Sequence, residues 1–218
     1  MSEINLLTSH PQHKRDYDER AKEKTPEVIR IAKQFGEEFF DGKRKYGYGG
    51  YSYDGRWKSV IQRMKKYWGF SDNVSVLDVG CGKGFMLYDF KELAPNCTVA
   101  GVDISEYAIE NSMPSVKSSL KLGSAVELPF EDNSFDLVIS INSIHNLPLE
   151  ECKKSIREIS RVSRKYSYIT VDAWRDEQQR INLMKWVLTA ETYMSVDEWK
   201  KLFVDLGYNG DYWWFIAE

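Results

Sequence analysis

The chain has 218 residues, 42% of them hydrophobic and 29% charged, with a formal net charge of −3. That length suits one domain with a full core, the apolar content excludes a disordered chain, and the slight acidity argues against a general nucleic-acid binder. Cys81, Cys97 and Cys152 are an odd number without C-x-x-C spacing, which argues against a disulfide framework and a thiolate zinc site. With only His10, His13 and His145 beside them, no ligand-spaced cluster emerges and no metal is expected.

Residues 1–25 are polar, with charges of both signs from Lys14 to Lys24, and read as a mobile or helical arm. Met1 to His10 lacks a basic start followed by an apolar run, and no later run approaches the ~20 apolar residues of a membrane span, so a soluble cytoplasmic protein is expected. Pro26 opens a helix with Thr25 as N-cap, Val28, Ile31, Ala32, Phe35 and Phe39 on one stripe, and Asp41-Gly42 as the stop. Residues 41–57, D-G-K-R-K-Y-G-Y-G-G-Y-S-Y-D-G-R-W, then combine five glycines with Tyr46, Tyr48, Tyr51, Tyr53 and Trp57. So much aromatic area either packs the loop onto the domain or makes it a lid. In the lid reading Tyr48, Arg56 and Trp57 contact a substrate, Arg56 or a lysine meets an anionic group, and Lys43, Arg44 and Arg56 point to an anionic metabolite. The basic clusters Lys43 to Lys45, Arg63 to Lys66 and Arg161 to Lys165 otherwise read as solvated faces. A second amphipathic helix, with Val60, Ile61, Met64, Tyr67 and Trp68, closes at Gly69. Residues 1–70 thus form a helical arm and Gly/Tyr-rich cap, and residues 71–218 one compact domain.

The pivotal stretch is V-S-V-L-D-V-G-C-G-K-G-F-M, from Val74 to Met86. Val74, Val76, Leu77 and Val79 read as a strand buried on both faces, followed by a turn with Gly80, Gly82 and Gly84 and a helix through Phe85, Leu87, Tyr88, Phe90 and Leu93. Such a turn lets backbone N–H groups and a helix N-terminus approach a ligand. A dinucleotide fingerprint would place its third glycine at Phe85 instead of Gly84.

Thr98 to Asp103 reads as the second strand, its terminal Asp103 23 residues after Gly80, where an acid can accept from ribose hydroxyls. Ser105 caps the following helix; Lys121 to Phe130 and Phe135 to Asn142 supply two more strand segments. The second ends in Asn142-Ser143-Ile144-His145-Asn146 at the carboxyl edge of the sheet, where ligands of open α/β sheets collect. His145 is there either a general base or a hydrogen-bonder holding the loop. A helix from Glu150 to Val162, a fifth strand from Tyr166 to Val171, an insertion opening at Asp172-Ala173-Trp174-Arg175, a helix from Asp197 to Leu206 and a final strand from Tyr212 to Ile216 complete the chain.

Asp78-x-Gly80-x-Gly82-x-Gly84, followed by Asp103, Leu128-Pro129-Phe130 and the 135–142 strand, resembles the class I S-adenosylmethionine (SAM)-dependent methyltransferases from about Val74 to Tyr208. The resemblance implies a Rossmann-like α/β fold, a seven-stranded mostly parallel sheet with helices on both faces, ending in two antiparallel strands. It implies SAM as cofactor, held by Asp78, Gly80, Cys81, Gly82, Gly84 and Asn142 around the methionine part, Asp103 at the ribose, and Ile104, Ser124 and Ala125 at the adenine. Ser124 stands where the family usually has an aspartate. A small-molecule acceptor is expected between the 46–57 loop and the Trp174 to Tyr193 segment, with methylation at a hydroxyl or other heteroatom and His145, Tyr51 or Tyr53 as the base. Nucleic acid and membrane are not expected as partners, and the sequence does not specify an oligomeric state. The alternatives are a SAM-binding subunit without its own activity and a dinucleotide-dependent oxidoreductase.

Overall fold

The structure, a computed structural model, describes residues 1–8 and 15–218; His10 and His13 lie outside the described residues. Its centre is a sheet whose first strand, β1 (Ser75–Val79), pairs with β2 (Thr98–Asp103) on one side and β4 (Phe135–Ile141) on the other. β3 (Leu120–Leu122) lies outside β2, and β5 (Ser163–Trp174) outside β4. β7 (Asp211–Ile216) pairs with β5, and the two-residue β6 (Met194–Ser195) meets only its end. Ala173 pairs with both Met194 and Ile216, so β6 and β7 flank β5 on opposite edges. Every one of these pairings is parallel. The expected antiparallel end is thus absent from the described residues: β7 runs parallel to β5, and the 191–194 stretch yields only the short β6.

Parallel strands need crossovers, and helices supply them on both faces. Side chains alternate along β1, so Val76 enters one apolar layer with Trp57, Val60, Met64, Leu87 and Phe90, while Leu77 enters the other with Ile156, Ile159, Trp199 and Phe203. The first layer belongs to α4 (Trp57–Trp68) and α5 (Phe85–Leu93), the second to α7 (Leu149–Val162) and α9 (Val196–Asp205). α9 begins in a capping box in which Ser195 and Glu198 satisfy each other's backbone N–H. α6 (Glu106–Glu110) follows β2 and is capped by Ser105, whose Oγ accepts from the Ala108 amide at 3.0 Å.

One expectation needs correction, and the arm read as mobile or helical is helical in part. The helix opened by Pro26 and capped by Thr25 ends early, as α2 (Pro26–Ala32), because Phe35 takes φ +48° before Gly36; α3 (Glu37–Phe40) then restarts in a new direction. The amino-terminal segment is tied down at its start. The Ile4 amide donates to the Tyr212 carbonyl at 3.0 Å, the Tyr168 hydroxyl donates to the Ile4 carbonyl at 2.9 Å, and Leu6 is buried. Beyond residue 14, α1 (Tyr17–Glu23) packs on α8 (Glu177–Trp186). No helix of the described residues is long and apolar enough to cross a membrane.

Candidate functional site

The carboxyl ends of β1, β2 and β4 open into a cavity of about 330 Å³, in the size range of ligand sites. Its floor is the glycine turn. The Gly80 and Cys81 amides both donate to the Val102 carbonyl, bending the chain sharply at the end of β1. At Gly80 (φ +84°) a Cβ would lie 2.1 Å from Ser143 Oγ, so the residue after β1 and the turn after β4 meet without room for a side chain. At Gly82 (φ +53°) the amide donates to Asp103 Oδ2 at 2.7 Å, locking the loop to the end of β2. Asp103 Oδ1 accepts the Ser105 amide at 2.8 Å. Burial pushes the Asp103 pKa up, against the backbone amides that favour its charged form.

Ile104, 61% exposed, Ser124 and Ala125 form the wall next to Asp103. Asn142 enters from the end of β4 at φ +50°, fixed by its amide, which donates to the Thr170 carbonyl at 3.0 Å, and by the Thr170 hydroxyl, which donates to its Oδ1 at 2.9 Å. A non-glycine residue in that conformation is strained, and such strain concentrates at functional positions. Asp78, Cys81 and Gly84 do not line the cavity. Asp78 and Cys81 are buried close to it; burial and the Asp103 charge push the Asp78 carboxyl up to about 7.

The roof is aromatic. The break at Phe35 turns Phe35, Phe39 and Phe40 toward the cavity, and Tyr48 and Tyr51 stack over them, with Phe40 and Tyr48 centroids 5.7 Å apart and Tyr48 and Tyr51 4.4 Å apart. Asp41 fastens this roof to the floor: its Oδ2 accepts from Lys83 Nζ at 2.5 Å and from the Tyr107 hydroxyl at 2.7 Å, and its Oδ1 from the Tyr51 amide at 3.0 Å. The loop is therefore both packed by its tyrosines and a cover over the cavity.

His145 and Asp172 face each other across one wall. His145 Nε2 is 3.4 Å from Asp172 Oδ2, and the Asp172 amide donates to His145 Nδ1 at 3.4 Å. Burial raises the Asp172 pKa, and the imidazole opposes that rise. The segment after α8 holds the histidine turn, with the Glu191 and Thr192 amides both donating to the His145 carbonyl at 3.0 Å.

Several expected contacts lie elsewhere. Tyr53 turns away and donates its hydroxyl to Asp89 Oδ1 at 2.7 Å; Arg56 is neutralised by Asp54, with Nη2 and Oδ2 2.6 Å apart. Trp57 is buried in the α4–α5 layer, and Trp174 packs with Leu183 and Val187; none of these four lines the cavity. Tyr48 and Tyr51 do, as do Arg44 and residues 186–189 of the expected 174–193 segment; Arg20 and Asp172 also line it, and these two the sequence reading had not assigned to the site. The start of an insertion at Asp172 and one arginine among the mixed charges of the polar arm were the available signals, and neither distinguishes a site residue from a surface one.

The methyltransferase domain family model matches residues 70–208, covering the glycine turn, Asp103 and all strands up to β6. The chain belongs to the methyltransferase domain family. A tRNA (carboxymethyluridine(34)-5-O)-methyltransferase of Arabidopsis thaliana is 34% identical over 126 residues, 57% of this chain and 30% of that protein. A demethylmenaquinone methyltransferase of Symbiobacterium thermophilum is 34% identical over 119 residues, 50% of this chain and 45% of that protein. The chain spans less than two thirds of the length of the curated relatives it matches. A SAM-dependent methyltransferase structure from Aquifex aeolicus shares the fold, with TM-score 0.50, 18% identity and 89% of each chain covered.

SAM is the cofactor of this family, and the site's chemistry fits it. The glycine floor leaves room for a ligand backbone, and Asp103 retains acceptor capacity on both oxygens for a vicinal diol. The exposed Ile104 offers an apolar face to a base. Asp78, buried behind the cavity lining and without a hydrogen bond to its carboxyl group among the described residues, places a carboxyl group whose charge is complementary to a ligand ammonium.

Proposed function

We propose that the protein transfers a methyl group from SAM to a heteroatom of a small-molecule acceptor enclosed under the 41–57 loop. The observation that carries this reading is that one cavity joins the glycine cradle and Asp103 to the Phe40–Tyr48–Tyr51 roof and the His145–Asp172 pair. When bound, SAM supplies a methyl group already activated by its sulfonium, so the protein's remaining task is alignment and, for a hydroxyl or amine acceptor, removal of a proton.

Each of these residues has a role in that task. Gly80 and Gly82 admit the methionine part, Asp103 holds the ribose hydroxyls, Ile104, Ser124 and Ala125 border the adenine, and Asn142 orients the reacting end. Tyr48 and Tyr51 exclude water. Tyr48 is 49% exposed, yet desolvation around its hydroxyl and the Asp103 charge push the phenol up, and burial pushes the Tyr51 phenol well up, so both stay protonated at neutral pH and serve as hydrogen-bond donors, not bases. In His145 the Nδ1 lone pair already accepts the Asp172 amide and Nε2 faces the carboxylate. The proton acceptor is therefore Asp172, with His145 orienting it, and the pair contributes on the order of 10²–10⁴ in rate.

Calorimetric titration with SAM and with NAD separates this reading from its alternatives: SAM binds and NAD does not. Gly82→Val blocks binding, and Asp103→Ala weakens it by ~1.5–3 kcal/mol. A screen of metabolite pools for methyl transfer then identifies the acceptor. Asp172→Asn lowers the maximal rate with SAM affinity retained, and His145→Gln lowers it less. Binding of SAM without transfer to any pool supports the non-catalytic subunit instead, and robust methylation of RNA overturns the small-molecule acceptor.

A further inference from the structure

Opposite the Asp103 end, the cavity is lined by Arg20, Arg44 and Trp186. The guanidinium carbons of Arg15, Arg20 and Arg44 lie 5.3, 5.4 and 5.3 Å from the Trp186 ring centroid, each within cation–π range. Three positive charges therefore gather round one indole, and none of them forms an ion pair with a carboxylate among the described residues. Arg20 is buried and largely committed: Nε donates to the Trp186 carbonyl at 3.3 Å, and Nη1 to the Arg44 and Lys45 carbonyls at 3.2 and 2.9 Å. Arg44 is the accessible member, and its side chain's one hydrogen bond among the described residues runs from Nη1 to the Gly47 carbonyl. The charges are felt locally. Desolvation and the Arg44 charge lower the Arg20 pKa, desolvation and Arg15 lower that of Arg44, and the Glu23 carboxylate opposes both shifts.

Like charges held together beside a cavity, opposed by the fields of Glu23 and Asp172 but in no ion pair among the described residues, suit an oxyanion brought by a ligand, and a guanidinium offers it a planar fork of donors. The β2 end of the cavity carries the Asp103 carboxylate, whereas Asp172, on β5, lies on the Arg15 side and feels its charge. Electrostatics thus orients any ligand that bridges the two ends. Of the cations expected from the sequence to meet an anion, Arg44 lines the cavity, whereas Arg56 is paired with Asp54 and Lys43 does not line it.

We propose that the methyl acceptor is an anionic small molecule whose carboxylate or phosphate is bound by Arg44, backed by Arg20, against the face of Trp186. This rests on the methyltransferase reading, because it takes the cavity to hold SAM and acceptor together. The Arg44 fork fixes the anionic end while the acceptor atom is directed toward Asn142 and Asp172. An acceptor without the anionic group lacks that anchor.

The test uses the full chain saturated with S-adenosylhomocysteine and follows benzoate, phenyl phosphate, inorganic phosphate and neutral benzyl alcohol by ligand-observed NMR. At least one anion binds at least tenfold more tightly than benzyl alcohol, and the ranking of benzoate against the phosphates tells carboxylate from phosphate. Arg44→Ala abolishes that preference, Arg44→Lys restores part of it, and S-adenosylhomocysteine affinity changes less than twofold in both. Equal affinity for anions and benzyl alcohol, or a preference that survives in Arg44→Ala, overturns the proposal. If the wild-type chain fails to bind S-adenosylhomocysteine, the methyltransferase reading itself falls and the acceptor assignment with it.

Discussion

Asp78 sits at the end of β1 with its carboxyl group buried, and its pKa is pushed up to about 7 by that burial and by the Asp103 charge. An unfolded aspartate titrates near ~3.9, so between about pH 4 and pH 7 the folded chain keeps a proton that the unfolded chain has released. The ligand-free protein therefore loses stability from this group as pH rises through that window. A bound ammonium reverses the preference by favouring the charged carboxylate. Affinity for S-adenosylhomocysteine is expected to rise by up to about tenfold per pH unit over the same window and to level off above ~7. Calorimetry at pH 5, 6, 7 and 8 checks this, and Asp78→Asn flattens the profile; a flat wild-type profile removes the ammonium contact. Asn142 offers a second test at this scale. Asn142→Gly keeps the left-handed backbone and removes only the amide, whereas Asn142→Ala adds strain, so the alanine variant is expected to lose ~1 kcal/mol more folding stability in urea titration. The residues most legible in the sequence were of this kind. Asp78, the glycines and Asp103 are set by short covalent spacing, whereas Arg20 and Asp172 reach the cavity only through packing between distant segments.

Among the elements, the covering loop departs most from its sequence pattern. A continuous apolar stripe from Val28 to Phe39 is what an unbroken helix would show, yet Gly36 permits the break and Phe35 takes a left-handed turn stabilised where Ser105 Oγ donates to its carbonyl at 2.5 Å. Periodicity cannot register this, because the stripe's aromatic end is buried by the cavity roof and not by the domain core. The roof in turn depends on Asp41. Burial raises its pKa, but the hydrogen bonds from Lys83, Tyr107 and the Tyr51 amide outweigh that and leave it lowered. A depressed carboxylate pKa gives stability that is present above the unfolded value of ~3.9 and lost as pH falls through the folded value, so the latch holds across neutral pH. Asp41→Ala releases three hydrogen bonds at once. Limited proteolysis mapped by mass spectrometry is expected to cut between residues 41 and 57 at least tenfold faster in this variant, with a raised KM for the acceptor. Unchanged cleavage there would show that the aromatic stacking alone holds the roof.

At the scale of the molecule, the strand–helix alternation from Val74 onward was legible because buried parallel strands and amphipathic helices have different apolar periods. The outer edge was not, since a bridge formed by Glu3 leaves almost no pattern beyond the alternation of Ile4 and Leu6. That bridge covers β7, the strand that would otherwise present an open edge. Ser2 accepts from the Tyr212 amide at 3.1 Å, and Glu3 pairs with Lys200 at 2.6 Å and Arg175 at 3.0 Å. The buried contacts weigh more than these partly exposed ion pairs. Leu6 is 1% exposed and its amide donates to the Tyr168 hydroxyl at 3.2 Å, so the segment both fills a core position and satisfies a buried phenol. Leu6→Ala is expected to destabilise by about 2–5 kcal/mol, whereas Glu3→Ala, which removes pairs of the partly exposed kind, is expected to lose no more than ~1 kcal/mol. Deleting residues 1–7 combines the core loss with an orphaned Tyr168 hydroxyl and a bare β7 edge, so it should lower the urea midpoint at least as far as Leu6→Ala and add concentration-dependent association by light scattering. A deletion variant as stable and as monodisperse as the full chain would mean that β7 closes the sheet unaided; the burial of Leu6 and the phenol's two partners argue for the opposite result.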